Sequence, residues 1–418
     1  MTDWLITGCS ELVTLRGAVP RRGRALAELG VIRDGALLIH GDRIAAVGLR
    51  RSIERLRPAR RAAKLDLGGR VVLPGFVDSH THLVFPGSRA AEYEQRIAGA
   101  SYEEIARGGG GIRATVERLR LSPAKNLKAR ALAHLREFGA HGTTTLEAKS
   151  GYGLDWKSEH KILQTLYDLH QAQPLDIHST FLGAHVVPKE FRRRPESYVD
   201  LLVRRWIPTV ATAGLAEYCD VYCDQGAFTV SQARRILTAG RACGLVPRIH
   251  AEQLARTGGA RLAIELNAAS ADHLEKINRS DIRALALSNV VCTMLPGCCF
   301  HLGLEHFAPA RALIDAGAIL ALATDFNPGT SPTLNMAMIL SLACTQMRMT
   351  PAEAISAATI NPAYSLRQHD RIGSLEVGKY ADLAAFEVAD YREIPYYFGV
   401  NLCSMTMKRG EVIYSKKH

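Results

Sequence analysis

The chain has 418 residues, a 47% hydrophobic composition and a formal net charge of +11. That length accommodates one large barrel domain with a smaller one beside it, and the apolar content is ample for a sizeable core, so the chain is globular. The charge excess does not mark a nucleic-acid binder, because Arg21-Arg22, Arg50-Arg51, Arg60-Arg61 and Arg192-Arg193-Arg194 are scattered, carry few aromatics among them and read as solvated surface.

At the start of the chain, Met1 to Val13 show no basic region leading into an apolar core. The longest apolar stretch, around Ala316 to Ala323, is far short of a membrane span, so neither export nor a membrane partner is expected. The nine cysteines include no Cys-x-x-Cys pair, and Cys298-Cys299 are adjacent, which points to a reducing cytoplasm rather than a disulfide framework or zinc ribbon. Ala36 to His40, a Gly41-Asp42 turn and Arg43 to Gly48 predict a β-hairpin. Gly373 to Leu383 and Met405 to Tyr414 predict further short strands at the other end. Both ends are β-rich, so residues 1–73 and 368–418 are expected to combine into one small, discontinuous β domain flanking an α/β domain over 74–367.

Between the ends, eight strand-like runs are each followed by a helical stretch, the pattern of a parallel (β/α)8 barrel of the TIM type. The first is Val71 to Val77, closed by Asp78-Ser79-His80-Thr81-His82. After it comes an insertion with Arg89, Ser101 to Arg107 and the glycines Gly108 to Gly111, expected to form a lid or loop. The other runs are Thr143 to Lys149, Asp176 to Leu182, Asp220 to Asp224, Val246 to Glu252, Ala268 to His273, Val290 to Pro296 and Leu320 to Asp325. Ser158 to His170, Ser231 to Cys243 and Pro309 to Ala316 are expected as crossover helices, and Ala352 to Leu366 as a last helix. Polar residues gather at the carboxyl ends of the strands, where barrel enzymes carry their active sites.

His80 and His82 lie two apart and share a strand face. Alone, a His-x-His pair is a weak signal better read as two satisfied strand histidines, and Asp325 alone is equally a turn residue before Asn327-Pro328-Gly329. Together with His250 on strand five, however, they make three imidazoles and one carboxylate at one end of a closed barrel. Nitrogen and oxygen donors of this kind suit one zinc or iron ion with a position left for water.

These features resemble the metal-dependent amidohydrolase superfamily, whose members join a barrel to a small β-sandwich built from both chain ends. Gly75 to Phe85, Lys149 to Leu154, Phe181 to His185, Ala271 to Glu275, Ala323 to Gly329 and Phe398 to Asn401 narrow the resemblance to its imidazolonepropionase family. The resemblance implies hydrolytic ring opening of 4-imidazolone-5-propanoate to N-formimidoyl-L-glutamate, a small-molecule reaction of histidine breakdown, in a homodimer. It further implies that Arg89 pairs with the substrate carboxylate, and that Tyr152, His185, Gln253, Asn327, Gly329 and Thr330 line the pocket. Gln253 stands where deaminase relatives carry a glutamate, which disfavours deamination. Lys149 ends strand two, and strand four offers no lysine to bridge two metals, so a mononuclear site follows. For proton transfer, Glu252 is expected to share the face of His250, with Asp325 as competitor and His273 bonding the oxyanion. Other readings of the same residues are another cyclic-amide hydrolase, an aromatic deaminase, or a basic binding protein on a barrel scaffold.

Overall fold

The computed structural model describes residues 2–100, 104–105 and 108–416. Its strands are β1 (Trp4–Val13), β2 (Val31–His40), β3 (Arg43–Leu49), β4 (Ala63–Pro74), β5 (Phe76–Asp78), β6 (Thr143–Lys149), β7 (Asp176–Ala184), β8 (Tyr218–Cys223), β9 (Val246–Ala251), β10 (Ser270–His273), β11 (Val291–Met294), β12 (Ile319–Leu322), β13 (Leu383–Phe386), β14 (Cys403–Lys408) and β15 (Glu411–Ser415). The chain ends build a seven-stranded mixed sheet in the order β15-β14-β13-β4-β1-β2-β3. The predicted hairpin is β2–β3. The predicted strand over 373–383 is mostly turns, touching β3 through a single bridge from Tyr380 to Arg43, and a regular strand begins only at Leu383.

β5 to β12 form eight parallel strands in chain order. Where β12 meets β5, the circle is drawn together by main-chain bonds from Asp325 to the His80 carbonyl (3.0 Å) and from His82 to the Phe326 carbonyl (2.9 Å). Buried Asp78 adds to this seam, accepting from the Thr324 amide at 3.1 Å and its hydroxyl at 2.5 Å. The residues on either side of the seam are the predicted ligands, so the contacts that close the barrel also fix their backbones.

Two expectations about elements are corrected. The apolar run Val71 to Val77 is not one barrel strand: Val71–Pro74 pairs with β13 in the end sheet, and only Phe76–Asp78 enters the barrel. Gly75 makes the transition, and a β-carbon there would overlap the Thr144 side chain. The helix expected over Ala352 to Leu366 is two, Pro351–Ala357 and Ile360–Ser365. A continuous helix would drive the Pro362 ring into the Ala358 carbonyl. That carbonyl instead accepts from the Val77 amide at 3.0 Å, tying the broken helix to β5. The segment Ser101 to Arg107 of the expected lid lies largely outside the described residues.

The main apolar core fills the space between strands and helices, with Cys219, Ile249 and Leu320 facing Ile236, Leu313 and Leu340. Thr229, Asn278 and Thr350 each start a helix with a reciprocal capping box, and Asp155 caps Trp156–Ala172. No described helix is long and apolar enough to cross a membrane.

Candidate metal centre and active site

His80, His82 and His250 converge at the carboxyl ends of the strands, each offering a ring nitrogen within 4.8 Å of the others. Asp325 Oδ1 lies 3.6 Å from Nε2 of both His80 and His82. Two ligands about 2.1 Å from one tetrahedral ion stand roughly 3.4 Å apart, so these spacings match one ion held between them. The Nε2 atoms of His80 and His250 are buried and have no hydrogen-bond partner among the described residues, which is the condition of donors directed at a cation. Burial, reinforced by neighbouring positive groups, pushes His80 and His82 well below the usual imidazole range and leaves them neutral, as ligation requires. The donor set therefore fits a metal ion. Asp325 has φ 51, a conformation few side chains adopt, and burial raises its carboxyl to about 6 despite the pull of His273 and His250.

Beneath the ligands lies a buried ionic layer that the strand pattern alone did not reveal. His80 Nδ1 donates to Asp272 Oδ2 at 2.7 Å, and His250 Nδ1 stands 3.0 Å from Asp220 Oδ2. The bond to Asp272 selects the His80 tautomer that turns Nε2 toward the centre, and the charge of Asp220 beside His250 Nδ1 favours the same tautomer there. Fully buried Lys149 reaches Glu147 (2.8 Å), Asp220 (2.9 Å) and Asp272 (3.8 Å). Burial would strip its proton, but Asp220 and Glu147 raise its pKa above the ordinary lysine value. Buried Arg248 lies 3.8 Å from Asp272 and donates to the Ser79 carbonyl at 2.8 Å. The signal in the sequence was an ionisable residue inside an apolar strand, as at Asp220 and Arg248, two positions from another polar residue.

The residues predicted to line the pocket are brought around this centre. His185 stacks on His82 with centroids 5.2 Å apart, and Tyr152 lies 5.5 Å from both rings. The loop carrying Tyr152 is held by Glu159, whose carboxylate accepts from the amides of Gly151, Gly153 and Leu154. Burial lowers His185 to about 3, and its Nδ1 donates to the Gly151 carbonyl, fixing which nitrogen remains free. His273 sits with its ring 5.5 Å from that of His250. Burial opposes its protonation, but Glu275 and Asp325 raise its pKa. Gln253 Nε2 donates to Cys298 Sγ at 3.5 Å. Asn327 folds its amide into its own turn, accepting from Gly329 and Thr330 and donating to the Asp325 carbonyl. Gly329 leaves room for Arg89, since a β-carbon at 329 would overlap Arg89 Nη1.

Glu252 is the correction. β9 ends at Ala251, and Glu252 has φ 57, so the period-two alternation that would align it with His250 is broken. Its carboxylate accepts from the amides of Thr257 (2.6 Å), Gly258 (2.9 Å) and Ala260 (3.1 Å), building the turn into helix Gly259–Glu265.

The amidohydrolase family profile matches residues 71–413. The imidazolonepropionase of Solibacter usitatus (strain Ellin6076) is 48% identical over 417 residues, covering 100% of both chains. That of Geobacillus kaustophilus (strain HTA426) is 47% identical over 420 residues, covering 99% of this chain and 98% of the relative. Among solved structures, E. coli guanine deaminase superposes with a TM-score of 0.76 at 16% identity over 100% of both chains. A zinc-bound adenosine deaminase from Xanthomonas campestris gives 0.72 at 17% identity, covering 98% of this chain and 92% of its own; both share the fold. Matched by that profile over most of its length, and by full-length relatives at almost half identity, the chain belongs to the amidohydrolase family, among the imidazolonepropionases.

Proposed function

We propose that this chain opens the ring of 4-imidazolone-5-propanoate by hydrolysis to N-formimidoyl-L-glutamate, using one zinc or iron ion held by His80, His82, His250 and Asp325. The full-length identity to imidazolonepropionases carries this reading; the buried imidazole donors and the arginine packed on Gly329 support it. The nine cysteines, all free, support a cytoplasmic setting. A homodimer is the assembly proposed from the family resemblance.

When bound, the metal supplies Lewis acidity, bringing the pKa of a water toward about 7 and polarising a carbonyl. The chain's residues orient the substrate and move the protons. Arg89 pairs with the propanoate tail, and Tyr152 and His185 flank the ring beside His82. Water oxygen bonds to the ring carbonyl carbon, and the carbon–nitrogen bond then breaks. Asp325, placed between two ligand histidines, takes the proton released by water and returns it to the departing ring nitrogen. His273 donates to the oxyanion that develops between these steps. Gln253 has no ionisable carboxylate for the proton transfers a deaminase needs.

The test is an ultraviolet assay of freshly prepared imidazolonepropanoate together with elemental analysis. Rapid loss of substrate, about one metal per chain and loss of turnover on exhaustive chelation are expected. Two metals per chain, or undiminished turnover after chelation, would refute the mononuclear site; ammonia release from a purine or pyrimidine would reassign the substrate.

A further inference from the structure

Arg89 begins helix Ala90–Ile97, and Glu92 lies in its first turn. Both side chains are largely buried, at 12% and 15% exposure. Arg89 donates to the same Glu92 oxygen from Nε at 2.9 Å and from Nη2 at 2.6 Å. That oxygen also accepts from the amide of Gly111, the last of the four glycines, at 3.0 Å. The other end of the guanidinium, Nη1, packs on Gly329 in the turn that follows the predicted ligand Asp325, and makes no hydrogen bond among the described residues. One edge of Arg89 is thus anchored on Glu92, and the other lies against Gly329 in the turn beside the candidate centre.

We infer that Glu92 is a positioning residue for substrate specificity: it grips the Nε edge of Arg89, joins that arginine to the end of the glycine run, and so presents Nη1 to the substrate's carboxylate. The inference rests on the proposed role of Arg89. A guanidinium has five donors in a rigid fork, so a carboxylate on one edge fixes the plane in which the remaining donors lie. Without Glu92 the fork rotates freely, and the cost falls on binding the carboxylate tail, which is made before and during the chemical step alike. Such an effect raises KM and leaves kcat largely intact.

The alternative behaviour is opposite in sign. If Glu92 were a stand-in for the substrate carboxylate, its removal would free Arg89 and tighten binding. The geometry favours positioning, because the Glu92 oxygen that grips Arg89 is itself held by the Gly111 amide and so belongs to the scaffold.

The experiment is steady-state kinetics on metal-replete Glu92→Ala and Glu92→Gln with imidazolonepropanoate and with its neutral propanamide analogue. Losing a charge-assisted contact raises KM for the acid about tenfold or more in Glu92→Ala, with kcat within about threefold and KM for the amide nearly unchanged. The Arg89→Ala/Glu92→Ala double variant is expected to bind no worse than Arg89→Ala, because Glu92 acts only through Arg89. Should the alanine variant fail to fold, the near-isosteric glutamine variant carries the test, with a smaller KM rise at unchanged metal content. A lowered KM, an equal loss on acid and amide, or no change overturns the inference. Absence of turnover in the unsubstituted enzyme would defeat the proposed substrate instead, so the two failures are distinguishable.

Discussion

Glu252 and Gln253 are neighbours after β9 with different tasks. Gln253 donates its main-chain amide to Asp224 and its side-chain amide to Cys298, while both oxygens of Glu252 are bound by backbone amides. Glu159 and Asp224 serve in the same way, each gathering several amides of a loop that carries a pocket residue. The expected consequence is that Glu252→Gln keeps kcat within about threefold but lowers unfolding stability by about 1–3 kcal/mol, since an amide accepts these bonds more weakly and brings an N–H among donors. Denaturant unfolding and turnover of the metal-loaded variant check this; a kcat loss of about a hundredfold at full metal content would return the proton-transfer role to Glu252. His80, His82, His250 and Asp325 were legible as candidate ligands because polar residues ending apolar strands are conspicuous. Glu252 was not, because alternation along a strand gives no sign of the residue at which φ turns positive.

The barrel strands act as a set through the ionic layer under the ligands. β6 contributes Glu147 and Lys149, β8 Asp220, β9 Arg248 and β10 Asp272, so five charges from four barrel strands meet out of water. Lys149 is the member that touches both carboxylates behind the ligand histidines. Replacing it with methionine leaves Asp220 and Asp272 without that shared cation and frees the histidine tautomers. Lys149→Met is therefore expected to weaken metal binding by roughly 10–100-fold, the usual cost of losing a partner of a ligand. Competition against a chelator of known affinity measures it, and an unchanged dissociation constant would show that the carboxylates are held by Arg248 alone. Seven of the eight barrel strands were legible from their apolar runs, with ends displaced by a few residues, while most of the first run belongs to the end sheet. The broken helix before the final sheet carried its own sign in Pro362, whereas the partner that takes up the freed Ala358 carbonyl, Val77, lies far away in sequence.

For the whole molecule, the sheet made of the two chain ends touches the barrel at the end opposite the chemistry. Buried Lys408 on β14 joins Asp382 (2.6 Å) to Asp176 (2.7 Å), the first residue of β7, and Arg409 adds a bond to Asp176 at 2.8 Å. Thr406 donates to the Gly139 carbonyl at 2.7 Å, at the end of the helix Ala124–Ala140 that leads into β6. The pairing of two β-rich ends could be read from composition, whereas this lysine looked like any other surface charge until the fold placed two carboxylates beside it. Removing one member of a buried ionic group leaves the others uncompensated, at a cost of about 3–5 kcal/mol. Lys408→Met is therefore expected to lower unfolding stability by about that amount while KM, kcat and metal content stay within about twofold of the unsubstituted enzyme, because every ligand and pocket residue lies at the other mouth of the barrel. Chemical denaturation of the metal-loaded protein, paired with kinetics, separates the two effects. A parallel loss of metal or of kcat would mean that the end sheet sets the geometry of the centre through β7, and not only the stability of the barrel that carries it.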